Sequence, residues 1–235
     1  MPNKAAKKNI PAMLADTDFL YRQAKGGSDA FTQAQPFPHL LLPSFIKSSC
    51  CFALYEGLKP EDTRTESKSS VFRMLLWELS SSSLIRHFTA LTGKPPLLPD
   101  PFLVHSGANT FAKNEIAHNA EQEFFLRHPE TQLKNVLRME LFVSSEANGT
   151  FAIDLINKPG QVAVSHVGSN GCVLFVNSDT YHLHYRFKDP ERWHSLIAYY
   201  YINDHARSLS EVEGSTSAEF NLSGVDGLSA REGGY

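Results

Sequence analysis

Long apolar runs, paired cysteines and any excess of basic charge are what this sequence has least of. No stretch approaches the run of about 18 apolar residues that spans a bilayer. Charges and prolines also interrupt the amino-terminal end, where a secretory signal would carry its apolar core. Three cysteines occur in 235 residues, Cys50, Cys51 and Cys172. An odd, sparse set builds no disulfide framework and fits a reducing compartment, so a cytoplasmic location is expected. The formal net charge is −3 and no basic stripe runs along the chain, which gives nucleic acid no electrostatic footprint. Lys4, Lys7 and Lys8 cluster near the start and read as a flexible tail in preference to a binding arm. A Walker loop, a nucleophile elbow, a zinc CxxC pair and a dinucleotide glycine motif are all missing. Those chemistries have no support here.

What remains is an ordinary globular composition, 42% hydrophobic and 20% charged, in a length that suits one large domain. Residues 1–35 read as an irregular or partly helical lead-in, broken at Gly26 to Ser28. Pro36 to Ile46 (PFPHLLLPSFI) is a short apolar strand whose bounding prolines demote it to a sheet edge. Apolar residues from Val71 to Leu91 recur at helical spacing, and the run Ser80 to Ser83 splits them into two helices. From residue 102 the pattern changes to short β-prone runs: Phe102–Val104, Thr110–Ala112, Val136–Val143, Thr150–Ile156, Val162–Val167, Cys172–Val176, Tyr181–Phe187 and Ser195–Ile202. Asn148-Gly149, Pro159-Gly160, Asn170-Gly171 and Asp189-Pro190 supply turns between them. Helices followed by many short strands predict an α+β, mainly β fold: a jelly roll supported by amino-terminal helices, over residues 36–204. Residues 205–235, rich in Ser, Gly, Glu and Ala, read as a flexible tail.

Chemistry is sought where a jelly roll would place it. Side chains alternate across a strand, so two ligands on one strand stand at i and i+2. His182 and His184 have that spacing in GCVLFVNSDTYHLHYRF, and neutral imidazole suits iron; ordinary rim histidines satisfied by hydrogen bonds have it too. His105, His166 and His194 are isolated and read as structural. Tyr199, Tyr200 and Tyr201 read as packing aromatics, and Cys172 as a small apolar residue.

From about Phe37 to Tyr201 the chain resembles the prolyl-hydroxylase-like branch of the iron(II)/2-oxoglutarate dioxygenases. The resemblance is carried by PFPHLLLPSFI, LTGKPPLLPDPFL, HPETQLKNVLRMELFVS, NGTFAIDLIN, NGCVLFVNSDTYHLHY and WHSLIAYYY, in that order and spacing. It implies a double-stranded β-helix, Fe(II) as the metal, 2-oxoglutarate as co-substrate, and His182 as the distal iron ligand.

The departures are equally specific. The family's early-strand His-x-Asp is missing, and three segments stand in for it. His118-Asn119-Ala120 keeps the imidazole and loses the carboxylate. Glu121-Gln122-Glu123 fits the spacing and supplies Glu121 or Glu123 with no imidazole. His128-Pro129-Glu130 is a formal His-x-Glu, but proline sits poorly inside a paired strand. His118 is preferred, then the glutamates, then His128. With His118, Ala120 leaves a facial position without a ligand, open to chloride as in the halogenases of this family, or to Glu121 or Glu123 folding back from the loop as a third ligand. The family's co-substrate arginine on the last core strand is replaced by Trp193, with Arg192 one residue off. A slip of one residue turns a side chain to the other face, so Arg192 anchors 2-oxoglutarate only if a bulge redirects it.

The resemblance thus implies oxidation of a C–H bond, by hydroxylation or, given His-x-Ala, by halogenation or desaturation. The substrate would be a small molecule, protein or peptide, and a homodimer is allowed. The alternative is a catalytically degenerate jelly roll acting as a binding or partner subunit. A cupin-like metal enzyme that uses no 2-oxoglutarate is a third reading.

Overall fold

The computed structural model describes residues 13–58, 70–99, 108–110, 127–128, 131–146 and 148–204. Nearly all of them belong to the unit Met1–Ile202, while Asn203–Tyr235 forms a second unit. Of that second unit only 203–204 are described, so the expected tail 205–235 lies outside the described residues, as does Phe102–Val104.

Among the described residues there are five α-helices, with one strand between the second and the third. α1 (Thr17–Ala24) begins where the Asp16 carboxylate accepts the Phe19 amide at 2.9 Å, an N-cap that satisfies one otherwise orphaned donor. α2 (Gly27–Gln33) lies so close to α5 (Ser82–Thr92) that a Cβ on Gly27 would meet Leu91 Cδ2 at 2.8 Å. α3 (Ser48–Gly57), for which the sequence reading has no counterpart, buries Cys50, Cys51, Leu54 and Tyr55. α4 (Ser70–Leu79) and α5 are the two expected helices, divided at Ser80–Ser81. Ser81 caps the second through Leu84 N–H, and Gly93, at φ 61°, ends it in the left-handed conformation.

The described strands form two antiparallel sheets. The first contains β1 (His39–Leu42), β2 (Leu98–Pro99), β3 (Ala108–Thr110), β4 (Lys134–Ser144), β7 (Cys172–Val176) and β9 (Trp193–Ile202). Its order is β1-β7-β4-β9-β2, with β3 also paired to β9. The second has the order β6-β5-β8, from β5 (Thr150–Asn157), β6 (Val162–Gly168) and β8 (Tyr181–Arg186). β1 is an edge strand, as its flanking prolines foretell.

Alternation along β4 and β9 divides the molecule into two cores. Leu137, Met139, Leu141 and Val143 of β4 and Leu196, Ala198 and Tyr200 of β9 face the helices, joining Leu14, Leu20, Phe31, Phe72, Leu75 and Phe88. The other faces meet the second sheet, where Phe142, Val173 and Phe175 pack on Phe151, Ile153, Leu155, Val167, Leu183 and Tyr185. Each such fully buried side chain contributes roughly 1.5–3 kcal/mol of transfer free energy. Residues 14–33 are therefore built into the helical core. Glu78 ties them down: its buried carboxylate accepts Leu14 N–H at 2.9 Å and Ala15 N–H at 3.2 Å. Burial pushes this carboxyl above its ordinary range, against the pull of those two amides and of Lys47. All three cysteines are buried and unpaired with one another. Among the described residues no helix is long and apolar enough to cross a membrane.

Candidate functional site

The second sheet decides where β8 aims its histidines. Leu183 and Tyr185 are buried in the layer between the sheets, while His182 is exposed, His184 half-buried and Arg186 exposed. Period-two alternation puts His182, His184 and Arg186 on the outer face. There they stand opposite Ile156, Asp154 and Ala152 of β5. The sequence leads one to expect position 182 to face inward as a ligand; here the inner positions of β8 are taken by Tyr181, Leu183 and Tyr185.

The outer face has its own polar cluster. Asp154 receives Arg186 Nε–H at 2.9 Å, a second, short bond from Arg186 Nη2, and His184 Nδ1 at 3.1 Å. Hydrogen bonding from Arg186 outweighs the effect of burial and, together with His184, holds the Asp154 carboxyl below its ordinary range. His166 of β6 is exposed beside it, with Val162 and Val164. His194 is buried on the helical side, its ring stacked on Tyr55 at 4.7 Å between centroids.

Arg192 lies in a 3-10 turn, Pro190–Arg192, ahead of β9. Its guanidinium makes a short ion pair with Glu146 and lies 3.9 Å from Asp189, with 48% of the side chain exposed. Arg192 thus occupies a surface turn, and the register of β9 shows no bulge beside it of the kind the expected anchoring role requires. The inward position is filled by Trp193, 5% exposed, whose ring meets Phe151 at 4.8 Å and Phe187 at 5.8 Å. His128 is 1% exposed and serves a turn into β4. Its Nδ1 accepts Thr131 N–H at 3.2 Å, so that lone pair is committed to the turn, and the ring edge meets Tyr201 at 5.5 Å. His118, Glu121, Glu123 and His105 lie outside the described residues. His182 and Arg192 therefore do not fit a shared iron and 2-oxoglutarate site. Among the described residues, no three His, Cys, Asp or Glu side chains are grouped to hold one metal ion.

A different set of residues meets inside the sandwich. Arg138 and Glu140 of β4 face the second sheet, joined by Nη2–H to Oε2 at 3.1 Å. Tyr185 of β8 donates its hydroxyl to the same carboxylate, 2.8 Å from each oxygen. The Arg138 guanidinium lies 5.4 Å from the Phe175 ring centre and 5.9 Å from that of Tyr199, distances at which the ring quadrupole attracts a cation. Burial works against its charge, but Glu140 and the phenols of Tyr185 and Tyr199 outweigh that and hold the guanidinium above its ordinary range. The signal for this pair is present in NVLRMELFV: two opposite charges at i and i+2 in a strand whose other face is wholly apolar.

No family model matches the chain, and no curated protein matches it. Among solved structures, a prolyl 4-hydroxylase from Phytophthora capsici aligns with a TM-score of 0.44 and 13% identity, over 87% of this chain and 75% of that one.

Proposed function

We propose that the chain is a double-stranded β-helix of the iron(II)/2-oxoglutarate oxygenase type, turned from oxygen activation to binding. The order in which consecutive strands enter the two sheets supports the architecture. β4 lies in the first sheet, β5 and β6 in the second, β7 in the first, β8 in the second and β9 in the first, which is how a jelly roll is wound. The function is carried by one observation. On β8 the inner positions are held by Leu183 and Tyr185, and His182 is exposed. The Trp193 ring against Phe151 and Phe187 adds to it, because an indole fills the place where the family resemblance implies a co-substrate arginine.

The test is anaerobic titration of the full chain with Fe(II) and 2-oxoglutarate. The expected result is no visible charge-transfer band and no succinate when O₂ is admitted. A band that forms in the parent protein and vanishes in His182→Ala would overturn the proposal.

A further inference from the structure

We infer that the interior, at the end where β4 begins, holds a binding site for a small neutral molecule carrying a planar amide. This deepens the binding reading above by naming what is bound.

Strand register brings three polar side chains to the same inner face at that end. Tyr200 turns to the helices and donates its hydroxyl to Leu79 C=O at 3.1 Å, so Tyr201 turns to the second sheet, and Asn135, its cross-strand partner, turns with it. Arg138 stands opposite Tyr199 on one side and Phe175 on the other. Asn177 follows two residues after Phe175, and its backbone N–H donates to Val136 C=O at 3.3 Å.

Each of the three has a polar atom that is buried without a hydrogen-bond partner: Arg138 Nε, Asn177 Nδ2 and Asn135 Oδ1. Asn135 is 4% and Arg138 8% exposed. Leaving such atoms unsatisfied is costly, and native structures keep few of them.

Their chemistry specifies the ligand. Two are donors and one is an acceptor. An amide presents the matching set: a carbonyl oxygen with two lone pairs and an adjacent N–H. Charge excludes the obvious competitor. Arg138 is already neutralised by Glu140, which Tyr185 holds in place, so a carboxylate would enter as an excess buried charge. The rings of Phe175, Tyr199 and Tyr201 beside these groups suit a flat ligand.

The test uses benzamide, with benzoate and benzamidine as isosteric charged controls, on the full chain by calorimetry and thermal shift. Benzamide is expected to bind saturably and both ions far more weakly. Arg138→Lys, which keeps the charge beside Glu140, and Asn177→Leu are each expected to weaken benzamide about tenfold, the worth of one buried hydrogen bond. Should Arg138→Lys fail to fold, Asn177→Leu, half-buried outside the strands, decides. Benzoate binding as well as benzamide, indifference of benzamide to both substitutions, or no binding of any probe would each overturn the inference. Such a failure with the iron chromophore still absent leaves the binding reading standing. Appearance of the chromophore removes that reading whatever benzamide does.

Discussion

Tyr185 on β8 and Glu140 on β4 are joined by a hydrogen bond across the interior, the phenol lying 2.8 Å from both carboxylate oxygens. The two sheets thus share a polar contact inside an apolar layer, and Glu140 spends its charge on Arg138 and Tyr185 together. Tyr185→Phe removes one hydrogen bond to a charged group and is expected to lower stability by roughly 1.5–3 kcal/mol. Glu140→Gln leaves the Arg138 guanidinium buried without its counter-charge, and the expected loss is larger, about 3–5 kcal/mol. Urea denaturation of the three proteins checks both the values and their order.

The outer cluster predicts an acid-sensitive increment of stability. Because Arg186 and His184 lower the Asp154 carboxyl, the unfolded state takes up its proton first as pH falls. The contribution is whole above the ordinary carboxylate value, near pH 4, and disappears as pH drops through the lowered one. The thermal midpoint of the parent protein should exceed that of Asp154→Asn at pH 7, and the gap should close below about pH 4. A gap that is constant across this window would show that the ion cluster is not its source.

His182 and Arg192 are exposed, so His182→Ala and Arg192→Ala are each expected to change stability by no more than about 0.5 kcal/mol. Calorimetry with Fe(II) should not distinguish either variant from the parent.

Trp193→Arg reinstates the residue type that the resemblance implies, yet here it places a cation between Phe151 and Phe187. The expected effect is a loss of roughly 3–5 kcal/mol from the missing ring and the buried charge. Equilibrium unfolding measures it, and a variant as stable as the parent would mean that the ring fills no essential space.

Glu78→Ala strips the acceptor from two buried amides, Leu14 and Ala15. About 1–3 kcal/mol of stability should be lost, with cleavage by proteases appearing first near residue 14.

Most strand limits are legible in the sequence because local chemistry sets them. Asn148-Gly149, Pro159-Gly160 and Asn170-Gly171 each separate two β-prone runs: β5 and β6 fill the two intervals between them, β4 precedes the first and β7 follows the last. The Ser80–Ser83 run likewise divides α4 from α5. α3 has no such punctuation: two serines and two cysteines open it, and its burial pattern becomes readable only beside the sheet. The direction of His182 is a subtler matter. Matching a family motif transfers position along the chain but not the facing of a side chain, which follows the phase of alternation. That phase is written in YHLHYR, where Tyr181, Leu183 and Tyr185 form one face and His182, His184 and Arg186 the other. Arg138 and Glu140 are visible as charges, but the hydroxyl that Glu140 accepts lies 45 residues away on another sheet, which no local pattern encodes.

The burial of Cys50, Cys51 and Cys172 has a use beyond packing. Desolvation pushes the Cys51 thiol up to about 11 and holds that of Cys172 well above its ordinary value, and Cys50 is buried too, so native protein offers alkylating reagents little accessible thiol. Maleimide modification becomes a clock for opening: Cys172 times separation of the sheet from the helices, and Cys51 times release of α3. A cysteine engineered at an exposed position such as Val164 could carry a dye without competition from the other three.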